Sequence, residues 1–258
     1  ESAMDLCADL AGRCADRYRQ RLDAAQAVAS GPLTITDDGE LTMQINADMQ
    51  QRVVVDCTAV PWQPSPLPGV ERRPLERMGA ESGRATSIVR YAPGSSFKPH
   101  RHPQGEEILV LEGTFADEHG SYPAGTWLKN PPGTSHAPSS PEGCLLFVKL
   151  CHLTDADTNT CATDTRTGEW RPGLVGGLQV LPLDSVGGTH TSLVRWAPGT
   201  RFTPHRHMGG EEVLVLEGVF QDEFGNYPAG TWIRSPHGSV HAPFSESGCL
   251  IYVKVGHL

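Results

Sequence analysis

The chain has 258 residues, 38% apolar and 20% charged, and carries a formal net charge of −9. That apolar share excludes general disorder, and no run approaches the ~18 apolar residues of a membrane-crossing helix. The acidic balance argues against nucleic acid as a direct partner, because phosphate binding calls for clustered Lys and Arg.

Residues 4–29 come first in chain order. Leu6, Leu10, Cys14, Tyr18 and Leu22 recur every fourth residue amid Asp and Arg, and Gly31-Pro32 ends the pattern. The spacing predicts one amphipathic helix inside an N-terminal extension, residues 1–42. No charged stretch followed by an apolar core opens the chain, so no signal peptide is expected. The seven cysteines are odd in number, never two residues apart and unclustered, which fits reduced thiols in a cytoplasmic protein.

From Met43 onward Gly and Pro punctuate short apolar runs, the rhythm of many short strands. An internal repeat organises them. Residues 86–153 and 191–258 align without a gap at an offset of 105, and by direct count 43 of 68 positions are identical. TSIVRYAPG returns as TSLVRWAPG, EEILVLEG as EEVLVLEG, and YPAGTW unchanged. Upstream, Trp62 aligns with Trp170 across a three-residue gap. A unit of about 90–100 residues is the size of a domain, longer than a solenoid repeat. The expected division is 1–42 for the extension, 43–153 for the first domain and 154–258 for the second, with the polar stretch 154–169 as the linker or the entry to the second unit.

Ile108–Leu111 and Val213–Leu216 are apolar at every position and predict strands covered on both faces. Asp117–Gly120 and Asp222–Gly225 read as hairpin turns.

The chemistry lies in two matching constellations. Gly94 precedes His100, His102, Glu106 and Gly113, and then come Gly125, Pro131, Gly133 and His136. The second unit repeats them at Gly199, His205, His207, Glu211, Gly218, Gly230, Pro236, Gly238 and His241. Side chains alternate along a strand, so His100 and His102 share a face and Arg101 points away. A turn at 103–105 brings Glu106 back to that face on the next strand. Three imidazoles and a carboxylate can then converge on one cation, whereas His119, His190 and His237 do not recur. His152 and His257 recur without other ligand types nearby and read as structural. Glu107 and Glu212 read as structural or surface residues facing away from the cation. Trp127, Trp232, Tyr122 and Tyr227 read as core, and Cys144 and Cys249 as small buried hydrophobes.

The pattern G-x5-H-x-H-x3-E-x6-G followed by G-x5-P-x-G-x2-H resembles the two motifs of the cupin superfamily, with Ser140 and Ser245 where an Asn often closes the second. H-R-H-x-x-G-E-E-[IV]-L-V-L-E-G and Y-P-A-G-T-W are most similar to ChrR-like cupins, over roughly residues 53–258. The resemblance implies an all-β fold of two tandem double-stranded β-helix (jelly-roll) domains preceded by the N-terminal helix. It also implies two metal sites, His100, His102, Glu106 and His136 in one and His205, His207, Glu211 and His241 in the other. Anti-sigma factors of this family carry H-x3-C-x2-C in an N-terminal sigma-binding domain. Residues 1–42 hold Cys7 and Cys14 but no His, so the resemblance does not carry a sigma-factor partner across.

Three imidazoles and one carboxylate suit one divalent transition metal per domain, Zn or Fe first and Mn, Ni or Cu as alternatives. Three functions remain open: a metal-dependent enzyme acting on a small molecule by dioxygenase-type cleavage or metal-assisted hydrolysis, a ChrR-like zinc regulatory protein, and a metal-stabilised interaction module. The doubly apolar strands also leave room for a homodimer.

Overall fold

The computed structural model of the chain describes residues 33–35, 41–80 and 82–258, with side chains from Met43 onward; the helix expected over 4–29 lies outside the described residues. Among the described residues every regular element is a strand.

Two compact units form. In the first, the main sheet runs in the order Leu33–Ile35, Leu41–Ile45, Val70–Gly79, Arg84–Tyr91, Cys144–Leu150, Glu106–Asp117, Thr126–Asn130, Cys161–Asp164, every neighbouring pair antiparallel. The twelve-residue strand Glu106–Asp117 serves two layers. Its start lies between Cys144–Leu150 and Thr126–Asn130, and its end folds back with Gly120–Pro123 and touches Ser139. The second unit repeats the order from Val70–Gly79 onward with Leu178–Val186, Thr189–Trp196, Cys249–Val255, Glu211–Asp222, Thr231–Ser235 and Val53–Asp56, and Arg171–Pro172 pairs with Leu178–Val186 as Gln63–Pro64 pairs with Val70–Gly79. Each unit is a jelly roll.

Strand alternation fills each interior. Val70, Ile108, Val110, Phe115, Leu128, Leu146 and Val148 form the first core, and Leu178, Val213, Val215, Phe220, Ile233 and Ile251 the second. Ile108, Leu109 and Val110 are buried, as are all of Val213–Leu216, so this strand is covered on both faces as its composition predicts. Trp127 and Trp232 are wholly buried, each removing about 200 Å² from water, which contributes roughly 5 kcal/mol.

Both hairpin turns form as the sequence predicts, and for a local reason. Asp117 Oδ1 accepts from the backbone N–H of His119 (2.8 Å) and Gly120 (3.1 Å), and Asp222 Oδ1 from Phe224 (2.8 Å) and Gly225 (3.1 Å).

The units do not follow the repeat boundaries at their edges. Asp48–Thr58 belongs to the second unit, where Val53–Asp56 pairs with Thr231–Ser235. Ala59–Arg166 belongs to the first, where Cys161–Asp164 pairs with Thr126–Asn130. The polar 154–169 segment is therefore not simply a linker: its Cys161–Asp164 stretch closes a sheet edge. Composition hides this, because an edge strand needs backbone pairing more than apolar side chains.

Two motif glycines are fixed by close backbone approach. Gly113 (φ +67°) and Gly218 (φ +69°) sit where a Cβ would run into the carbonyl oxygens of Gly143 and Gly248; Gly94 (φ +78°) faces open space. Gly94→Ala should cost roughly 1–2 kcal/mol, the left-handed backbone penalty, and Gly113→Ala roughly 3 kcal/mol or more, because overpacking is added. Equal midpoints for the two variants in urea denaturation would contradict this account.

Candidate functional site

Each histidine cluster is built on a two-residue ladder. His100 lies opposite His136 and Arg101 opposite Ser135; in the second unit His205 lies opposite His241 and Arg206 opposite Val240. The chain then folds over this ladder. The His102 N–H donates to Thr134 O (2.9 Å) and His102 O accepts from Gly133 N–H (2.8 Å), with His207 bound the same way to Ser239 O (3.0 Å) and Gly238 N–H (2.8 Å). A turn through Gly105 (φ +73°) or Gly210 (φ +70°) delivers Glu106 or Glu211 as the first residue of the long strand.

The rings converge. Centroids of His100, His102 and His136 lie 4.7, 5.3 and 4.9 Å apart, and those of His205, His207 and His241 lie 4.6, 5.0 and 4.8 Å apart. In the second unit ligand-type atoms of all four residues fall within 4.8 Å of one another, and in the first the three histidines do so. Glu106 Oε2 is 3.3 Å from His136 Nε2 and 3.6 Å from His102 Nε2; Glu211 Oε2 is 3.5 Å from His241 Nε2 and 3.6 Å from His207 Nε2.

The unused nitrogens show which way the donors face. His100 and His205 engage Nδ1 with the carbonyls of Lys98 (3.1 Å) and Thr203 (3.0 Å), leaving Nε2 for the cluster. Nε2 of His102, His136, His207 and His241 is buried without a hydrogen-bond partner. Burying such an atom costs about 1–3 kcal/mol unless something meets it. Four inward donors with that vacancy of partners fit a divalent transition metal in each unit.

The electrostatics favour the neutral form of three of these imidazoles. Burial, reinforced by His136 and His100 against the pull of Glu106, holds His102 below the usual histidine range, and burial with His241 and His205 pushes His207 down to about 3. Burial also lowers His205. His136 goes up: burial opposes, but Glu106 and Asp117 outweigh it, as Asp222 and Glu211 do for His241. The carboxylates differ. Burial raises Glu211, whereas for Glu106 the opposing His136, His102 and Asn130 win and the group stays low. Asn130 Nδ2 donates to Glu106 Oε2 (3.1 Å), and the register position facing Glu211 is Ser235.

Residues that the sequence reading did not assign to the site stand behind it. Asp117 Oδ2 is 3.2 Å from His136 Nδ1 and Asp222 Oδ2 3.4 Å from His241 Nδ1, so each turn aspartate also orients the third histidine. Tyr122 and Tyr227 donate to the other oxygen of these carboxylates (3.2 and 2.7 Å). Arg52 reaches Asp222 Oδ2 (2.8 Å) and Tyr227 Oη (2.9 Å) in the second unit. The recurrence of D-E-x-G-x-Y-P in both repeats was a signal for the aspartates; nothing in local sequence marks Arg52.

The remaining expectations divide. Trp127, Trp232, Cys144 and Cys249 are buried, and burial pushes both thiols up, to about 11 and 12. Arg101 and Arg206 are exposed and bind the carbonyls of Gly133 and Gly238. Glu107 and Glu212 are buried, which selects the structural of their two readings, and Glu212 accepts from Trp232 Nε1 (2.8 Å) and contacts His257 Nε2 (3.1 Å). His152 is buried, with Nε2 3.3 Å from Thr86 Oγ1.

The family model described as the ChrR cupin-like domain matches residues 50–154 and 158–258. The chain belongs to the ChrR cupin-like family. It is a tandem of two such cupins. The anti-sigma-E factor ChrR of Cereibacter sphaeroides is 37% identical over 82 residues, 31% of this chain and 37% of that protein, so the chain spans little more than a third of that relative. The solved structure of a provisionally assigned dioxygenase from Nostoc punctiforme is similar with a TM-score of 0.70 at 16% identity, covering 89% of this chain and 94% of that one. Bacillus subtilis oxalate decarboxylase, a protein with Mn(II) centres, is similar with a TM-score of 0.56 at 14% identity, covering 79% and 76%. At such identities the likeness is one of fold.

In this ChrR cupin-like chain the first unit also holds a chamber of about 410 Å³, partly open to solvent, whose wall includes His100, His102 and Glu106. Among the described residues no helix is long and apolar enough to cross a membrane.

Asp117→Asn and Asp222→Asn keep an oxygen for the turn but remove the charge behind the third histidine. Each should lower the affinity of its own site for added Zn(II) by ~10–100-fold, read by competition with a chelator. Unchanged affinity would limit both residues to turn formation.

Proposed function

We propose that the chain binds one divalent transition metal in each unit, through His100, His102, Glu106 and His136 and through His205, His207, Glu211 and His241. On this reading it is a metal-dependent enzyme that acts on a small molecule, by dioxygenase-type cleavage or by metal-assisted hydrolysis. The observation that carries the enzymatic part is the chamber in the first unit, which brings space for a substrate against three of the four proposed ligands. A metal there supplies Lewis acidity and open coordination positions. The chain's own part is to hold the donors, to line the chamber with apolar residues of the first core, and to fix His136 through Asp117. The fold neighbours with dioxygenase and decarboxylase names show that enzymes are built on this fold, and the reaction class itself is part of the proposal.

A second reading is favoured by the 37% identity to the anti-sigma-E factor: a zinc-holding regulatory module with a protein partner, a sigma factor among the candidates. In that case both metals would be closed by four protein ligands. Among the described residues Cys57, Cys144, Cys151, Cys161 and Cys249 form no disulfide, and a cytoplasmic setting belongs to the same proposal.

Metal counting on the purified chain separates the readings. Two equivalents are expected, with one lost in His100→Ala, one lost in His205→Ala, and folding preserved by circular dichroism. Iron, manganese or nickel at the first site together with dioxygen uptake or ester cleavage supports the enzyme. Two firmly held zinc ions, no turnover and capture of a sigma factor would replace it by the regulatory reading. An unchanged metal count in both variants would sink the metal assignment.

A further inference from the structure

The two units share every proposed metal ligand yet differ on the walls beside them. Strand register makes the comparison strict. Val70 pairs with Tyr91 in the first unit as Leu178 pairs with Trp196 in the second, and Arg72 pairs with Val89 as Val180 pairs with Val194. A phenol and a guanidinium therefore stand in the first unit where the second has an indole and an isopropyl group. Tyr91 and Arg72 are diagonal neighbours on one face of an antiparallel pair, close enough for long side chains to act on one ligand atom, and both line the chamber.

Tyr91 is 7% exposed, and its ring packs against Phe97 (5.5 Å) and Phe115 (6.2 Å). Phe97 in turn lies 5.6 Å from His100, so the phenol stands one ring away from the histidine cluster. Its oxygen makes no hydrogen bond to a described residue. A hydroxyl in an apolar wall costs free energy unless a ligand or water accepts from it. Most of the rest of the wall is apolar, with Val89, Ile108, Leu146 and Val148 among its residues. Arg77, Arg101 and Glu106 also line it, but Arg72 and Tyr91 are the pair set side by side among the apolar residues, and a guanidinium with a phenol donor there matches a molecule with one anionic oxygen group and a non-polar body.

We propose that the first unit holds the substrate site, and that its chamber takes a small carboxylate with an apolar or aromatic body, its charged oxygens met by the Tyr91 phenol and the Arg72 guanidinium. This inference rests on the enzymatic reading for its meaning, but the binding it describes is measurable without turnover. The second unit then keeps its metal cluster without the same anion-recognising wall, and Tyr91 and Arg72 select the substrate.

Calorimetric titration of the full, metal-loaded chain with benzoate and cyclohexanecarboxylate tests this, with benzyl alcohol as the neutral probe. One site per chain is expected for the acids, with benzyl alcohol weaker. Tyr91→Phe and Arg72→Val should each weaken benzoate by about 10-fold or more and leave benzyl alcohol nearly unchanged. Arg72→Lys, which keeps the charge, should retain most of the affinity and guards against a misfolded Arg72→Val. Trp196→Tyr in the second unit should leave benzoate binding as it was. No saturable binding of either acid, benzoate binding indifferent to Tyr91 and Arg72, or loss of binding on Trp196→Tyr would each overturn the proposal. Metal content measured on the same samples keeps the two questions apart. A chain that takes up no metal refutes the metal assignment, while the response of benzoate to Tyr91→Phe still decides the chamber.

Discussion

The candidate centres depend on one register. His100 faces His136, and His205 faces His241, across ladders only two residues long. A slip of one residue would leave the two partners on opposite faces, because strand side chains alternate with a period of two. So short a ladder cannot secure its own register. It is held from outside, by the backbone bonds that tie His102 to Thr134 and Gly133 and by the glycine turn that leads into the long strand. The motif glycines and histidines are thus one device: the first set the path, and the path aims the second.

Around identical donor sets the surroundings have drifted apart. Asn130 grips Glu106 in one unit where Ser235 stands in the other, and Arg52 neutralises Asp222 in the second unit. Such neighbours change how firmly a carboxylate or imidazole is held and how much charge it offers, so equal ligand lists do not imply equal centres. Duplication gives two copies of a donor set, and the surrounding residues decide what each copy is used for.

Much of this could be read from the chain alone. The repeat follows from comparing the chain with itself, and the shared face of His100 and His102 from strand alternation; the jelly-roll class came with the family resemblance of the motifs. The hairpins followed from Asp and Gly at fixed offsets. What stayed hidden was non-local. Asp117 reads as a turn residue because its hydrogen bonds to His119 and Gly120 are near in sequence, while its contact with His136 spans nineteen residues. Arg52 lies 170 residues from Asp222. Tyr91 belongs to the repeat with Trp196 and looks like core in both copies; a hydroxyl facing a cavity is visible only once the cavity exists.

The allocation of edge strands has a consequence for how the molecule is assembled. Val53–Asp56 emerges from the ribosome well before Thr231–Ser235, the strand it must pair with, and its edge stays unsatisfied until most of the chain has been made. The first jelly roll likewise closes only after Cys161–Asp164 follows it out. Neither half is self-sufficient at the repeat junction: a cut between residues 153 and 154 would leave each fragment carrying a strand that the other requires. In that sense the tandem is a pair of exchanged partners fused into one polypeptide, with completion of the second sheet deferred to the end of synthesis.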